Sequence, residues 1–169
     1  CTPSAQRAIA QRLKAQFEEL GVDVQIKDYL ENSQYGYRAV HLHLTSPAGR
    51  SELQIRTLLQ ASWANLNEVI GDLYGRQHRY ESIDKTHPGF DLISEVAMIA
   101  DDIKVSEEKN DEGYHKVSEL LGQTPQMADD PNVQRLLELR AHKINEANTR
   151  VIDSLDRVAA SLRNRGALQ

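Results

Sequence analysis

The strongest constraint on this chain lies in residues 37–57, where two runs of alternating side chains flank a chain reversal. In the first run Val40, Leu42 and Leu44 alternate with Tyr37, Ala39, His41 and His43; in the second Leu53 and Ile55 alternate with Glu52, Gln54 and Arg56. Successive side chains of a strand point to opposite faces, so each run reads as a strand with one apolar face. Between them, Ser46-Pro47-Ala48-Gly49 supplies the turn: proline fixes one backbone angle and glycine accepts positive φ.

Opposed residues of an antiparallel pair share a face, so burying both aliphatic sets together requires an even-numbered residue to oppose an odd one. A turn at 46–49 then sets His43 against Glu52, His41 against Gln54 and Ala39 against Arg56, with Leu42 meeting Leu53 and Val40 meeting Ile55. The polar face gathers a phenol ring, two imidazoles, a carboxylate, an amide and a guanidinium. One wet face is normal for an antiparallel sheet, and this face is either that or a site. His41, His43 and Glu52 alone make a plausible two-histidine, one-carboxylate metal set.

The flanking sequence reads mostly as helix. Thr2 and Ser4 offer capping hydroxyls to a helix with Ile9, Leu13, Phe17 and Leu20 on one stripe, ended by Gly21. Val22, Val24 and Ile26 then alternate in a short strand. After the hairpin, Thr57 can cap a helix striped with Leu59, Trp63, Leu66, Ile70 and Leu73, in which Trp63 is a core residue. His87-Pro88-Gly89 breaks the chain before a helix bearing Phe90, Ile93, Val96, Ala100 and Ile103; residues 110–113 end it, and a short helical piece covers 114–121. Pro131 opens a last helix to about residue 165, where Ala141, Ile144, Asn148, Val151, Leu155, Val158 and Leu162 follow a four-three spacing. That stripe is either a coiled-coil seam between copies or a face packed back on its own domain.

Composition narrows the partners. A net charge of -5 gives no general nucleic-acid footprint, so a polyanion has to bind locally. One cysteine, Cys1, excludes an internal disulfide framework, and no apolar run approaches the roughly 20 residues of a membrane span, which makes the cytoplasm the default compartment.

The string Gly36-Tyr37-Arg38-Ala39-Val40-His41, followed by Glu52-Leu53-Gln54-Ile55-Arg56-Thr57 and a helix containing Trp63, resembles the second half of the RelA/SpoT synthetase domain of alarmone synthetases. The resemblance implies an α+β fold, a mixed and largely antiparallel sheet flanked by helices. It covers residues 1–85, leaving 86–169 as a helical C-terminal extension. It implies transfer of pyrophosphate from ATP to the ribose 3′-hydroxyl of GTP or GDP. In that chemistry Tyr37 stacks on guanine, Gln54 contacts the base and His41 reaches acceptor phosphates. Glu52 binds Mg²⁺ or helps activate the 3′-hydroxyl, and Arg56 contacts substrate or holds structure. The residue types suit these tasks: a ring offers a stacking face, imidazole and guanidinium neutralise phosphate, and a carboxylate is a hard ligand.

The family's upstream basic segment for ATP phosphates and its first-strand metal-binding aspartate have no counterpart here. Activity is therefore expected of an intact protein with sequence preceding Cys1. Ser33, Gln34 and Tyr35 stand where the family commonly carries lysine and asparagine, and Asn67 and Glu68 where it has glutamate and histidine. The expected partners are a guanosine nucleotide, ATP and a second copy through the last helix. The alternatives are a relative that binds nucleotide or a partner without transfer, and a toxin-like one that pyrophosphorylates tRNA, for which the sequence shows no basic patch.

Overall fold

The computed structural model describes residues 2–31, 36–79 and 83–166. Its first helix, α1 (Pro3–Glu19), starts at Thr2, whose hydroxyl accepts from the Ala5 amide at 3.4 Å, with proline in the first turn where its missing N–H is no loss. The buried face of α1 carries Gln6, Ala10, Leu13 and Phe17. Ile9 and Leu20, expected on that stripe, are 41% and 77% exposed. The helical period is as read, but the stripe begins at a polar residue and is rotated accordingly.

Three strands follow, β1 (Asp23–Asp28), β2 (Val40–Ser46) and β3 (Gly49–Ile55), in the order β1-β2-β3 and wholly antiparallel. The hairpin register pairs His43 with Glu52, His41 with Gln54, Leu42 with Leu53 and Val40 with Ile55, as the parity of the two runs requires. Pro47 and Ala48 form the turn, and Gly49 takes the positive φ of 133° that a larger residue resists. The ladder ends short of Ala39 and Arg56; the Ala39 carbonyl instead accepts from the Tyr29 amide at 3.0 Å. One apolar cluster, Ala10, Val24, Leu30, Val40 and Leu42, fills the space between α1 and the sheet.

Helix α2 (Leu58–Tyr74) opens with a capping box, Thr57 and Gln60 each satisfying the other's backbone N–H, and stops at Gly75. Its Trp63 is 2% exposed and donates Nε1–H to the Val96 carbonyl at 2.7 Å, a core role. Around it a second cluster joins Leu59, Leu66 and Ile70 to Val96, Ala100 and Ile103 of α3 (Phe90–Gln123) and to Leu155 and Ala159 of α4 (Pro131–Gly166).

Two sequence expectations for these helices are corrected. Residues 110–113 do not end a helix: α3 runs through them unbroken for 34 residues. Gly113 serves close approach instead, since a Cβ there would collide with the Arg140 guanidinium, whose Nη1 donates to the Gly113 carbonyl at 3.1 Å. In α4 the inward residues are Ile144, Asn148, Ile152, Leu155, Ala159 and Leu162, while Val151 and Val158 are 39% and 42% exposed. A seam spaced at 3.5 residues drifts from a straight helix of 3.6 by about 20° per heptad, which moves the packed positions on by one.

Between the two apolar clusters lies a buried polar knot that local patterns did not announce. Gln6 Nε2 donates to the Ile55 carbonyl at 3.0 Å and to Gln60 Oε1 at 2.8 Å. Gln60 Nε2 and the Thr57 hydroxyl donate to the two oxygens of Glu107 at 2.7 and 2.5 Å, and Arg38 Nη2 stands 3.8 Å from the same carboxylate. Burial pushes the Glu107 carboxyl above the ordinary range. The knot ties α1, the end of β3, the start of α2 and the middle of α3 to the residue following Tyr37.

Candidate functional site

Strand β2 is central, so its polar face is completed from both sides. Lys27 and Gln54 flank His41, and Gln25 and Glu52 flank His43, in two rows across the sheet. Lys27, Gln25 and Tyr29 stand beside the five expected site residues. The alternation of β1 put Lys27 and Gln25 on its polar side, but only pairing with β2 sets Lys27 beside His41.

All five expected site residues, Tyr37, His41, Glu52, Gln54 and Arg56, converge. Arg56 Nη2 donates to the Tyr37 hydroxyl at 2.6 Å, and that hydroxyl lies 2.7 Å from His41 Nε2. His41 Nδ1 lies 3.2 Å from Glu52 Oε1, which also accepts from Gln54 Nε2 at 2.5 Å. His43 Nε2 lies 3.7 Å from the other oxygen, Oε2. The rings interlock: Tyr29 meets His41 edge-on with centroids 4.9 Å apart, and the Arg56 guanidinium stands 5.0 Å from the Tyr37 centroid.

The direction of this series follows from donor inventory. Arginine only donates, so the Tyr37 oxygen accepts from Arg56 and its single hydrogen is free for His41 Nε2. That assigns the proton of neutral His41 to Nδ1, which donates to Glu52. Burial is the main cause that lowers the His41 pKa and favours this neutral form, with Arg56 and His43 adding repulsion against Glu52's attraction. Glu52 is held below the ordinary carboxylate range, chiefly by the Gln54 amide and further by the two histidines. A carboxylate so held stays ionised.

His41 is 8% exposed and engaged at both ring nitrogens, while Lys27, its neighbour on β1, is exposed and brings a cation to that row. Ser33, Gln34 and Tyr35 lie outside the described residues. Glu68 lies on the exposed side of α2 and borders a groove with Asp72 and Arg163, not the hairpin face.

No family model matches the chain. Over 56 residues, 33% of this chain, it is 54% identical to uncharacterised proteins of Mycobacterium bovis and of Mycobacterium tuberculosis. The chain covers 20% of the length of these curated relatives. No helix among the described residues is long and apolar enough to cross a membrane.

Proposed function

We propose that the hairpin face is the acceptor side of an alarmone-synthetase-type site, which transfers pyrophosphate from ATP to the 3′-hydroxyl of GTP or GDP. The observation that supports it is the hydrogen-bonded series Arg56–Tyr37–His41–Glu52–Gln54 on one face, the residues that the resemblance assigns to this chemistry. Phosphoryl-type transfer asks a protein for positioning and charge compensation more than for covalent chemistry, and a rigid strand pair supplies the first.

In this reading Arg56 holds the Tyr37 ring in place for guanine, and His41 fixes Glu52 on one side while Gln54 fixes it on the other. Lys27 adds positive charge where acceptor phosphates would lie. Mg²⁺ bound to substrate phosphates would neutralise charge, and Glu52 is the residue here that would hold it. The donor's phosphates and a second metal ligand would call on residues other than these. The cytoplasm, where such nucleotides are made and used, is the compartment proposed, and a second copy meeting α4 is the proposed protein partner.

A second reading, nucleotide or partner binding without transfer, draws on one observation: the Tyr37 ring and both His41 nitrogens already have partners within the chain. Transfer to a tRNA 3′ end is the variant of the first reading with a different acceptor. Calorimetric titration with GDP, GTP and tRNA identifies the acceptor, and an assay of pyrophosphate transfer separates the first reading from the second. The proposal expects GDP or GTP to bind and Tyr37→Ala to abolish that binding; no binding by any acceptor would overturn it.

A further inference from the structure

Glu52 is not alone on its face. His41 and His43 occupy alternate positions of β2 and so share a side, and Glu52 stands directly opposite His43 on β3. One ligand atom from each of the three lies within 4.8 Å of the others. Donors about 2.1 Å from an ion at tetrahedral angles stand about 3.4 Å apart, so small side-chain rotations bring the three to bonding distance. His41 Nδ1 already stands 3.2 Å from one Glu52 oxygen, Oε1, and His43 Nε2 3.7 Å from the other, Oε2.

Two further observations point to a ligand. His43 Nε2 is buried, faces Glu52 and has no hydrogen-bond partner among the described residues. A buried imidazole nitrogen without a partner is costly to keep, and a metal ion is one way to satisfy it. His41 in turn has at Nε2 the oxygen that a metal-bound histidine uses to fix its ring, the Tyr37 hydroxyl at 2.7 Å, and Gln54 steadies the carboxylate. Binding would require the His41 tautomer with its proton on Nε2, which would donate to the Tyr37 oxygen while the Tyr37 hydrogen turns away from the ring, leaving Nδ1 for the ion.

We propose that His41, His43 and Glu52 form a three-ligand site for a divalent transition ion that favours imidazole, Zn²⁺ being the reference case, with a further coordination position open to solvent. Two nitrogen donors suit Zn²⁺, Fe²⁺, Co²⁺ or Ni²⁺, whereas Mg²⁺ demands oxygen. The side chains of His43 and Glu52 are 35% and 38% exposed, so the open position faces outward, where a water or a phosphate oxygen can enter. The inference shares Glu52 with the proposed transfer reaction but does not depend on turnover.

The test is calorimetric titration of the chelator-treated full chain with Zn²⁺, with Co²⁺ absorption as a spectroscopic readout. The expected result is one ion per chain, visible Co²⁺ bands without a thiolate band, and no displacement by excess Mg²⁺. His43→Ala weakens binding by about 10- to 100-fold or more, while His142→Ala, which removes the exposed His142–Glu146 pair, leaves it unchanged. Circular dichroism checks the fold, and if His43→Ala fails to fold, His43→Gln and Glu52→Gln replace it. Wild-type Zn²⁺ affinity in folded His43 and Glu52 variants, or Mg²⁺ displacing Zn²⁺ freely, overturns the site. Zn²⁺ bound as expected in a protein that binds no guanosine nucleotide supports the site and removes the transfer reading instead.

Discussion

The Tyr37 hydroxyl sits 2.7 Å from Nε2 of His41, and through that contact the aromatic ring and the Glu52 carboxylate become parts of one hydrogen-bonded series. Removing the hydroxyl alone tests it. We predict that Tyr37→Phe leaves Arg56 and His41 short of a partner and destabilises the fold by about 1–3 kcal/mol in urea denaturation. Unchanged stability would mean that water serves both groups equally well and that the series has no ordering role.

Glu52 is expected to act in the reaction rather than in acceptor binding. Glu52→Gln keeps the shape and removes the charge, so transfer falls about 100-fold or more while GDP affinity, read by calorimetry, stays as in the parent. An equal loss of both would reassign Glu52 to holding the nucleotide.

The Arg38–Glu107 pair, buried behind the site, gives a pH signature of its own. Burial raises the folded pKa of Glu107 above its ordinary value of 4.5, the nearby charge being Arg38. Between those two values the folded chain keeps a proton that the unfolded chain has lost, so this contribution to stability is fully present below pH 4.5 and is lost as pH rises through the folded value. Denaturation from pH 4.5 upward should show the parent losing stability relative to Glu107→Gln. Parallel curves would contradict the raised value. Glu107→Ala should cost about 3–5 kcal/mol, and replacing both Arg38 and Glu107 by methionine much less, because an unpaired buried charge is the expensive state.

The surface of α4 left for a second copy includes Val151 and Val158. If they form the proposed seam, lysine at both positions lowers the solution mass to that of one chain without changing thermal unfolding of the monomer. An unchanged mass would show that α4 serves only its own domain.

What could be read from the sequence follows from how local each pattern was. The hairpin register was legible because the period-two apolar pattern leaves only one parity and the turn fixed the remaining freedom, although Leu53, expected in the core, is 37% exposed on a β3 that no helix among the described residues covers there. Gathering Tyr37, His41, Glu52, Gln54 and Arg56 was legible for the same reason. The α1 stripe was misplaced because its inward face begins at Gln6, a polar residue whose partners, Ile55 and Gln60, are supplied by tertiary structure. Gly113 looked like a helix stop because nothing local shows that Arg140 lies against it. Lys27 joined the site, and Arg38 met Glu107, through pairings between distant segments. The four-three spacing of α4 was real, but a straight helix packed on α2 obeys 3.6 rather than 3.5, so Ile152 and Ala159 took the places expected of Val151 and Val158.

Incubation of the intact protein with Mg²⁺, ATP labelled in its terminal phosphates and GDP or GTP, followed by separation of the nucleotides, tests the transfer reaction itself. Label is expected in a guanosine nucleotide carrying a 3′-pyrophosphate, and is expected to be lost in Glu52→Gln. Label remaining in ATP, in a protein that binds GDP and GTP no better than Tyr37→Ala does, would contradict it.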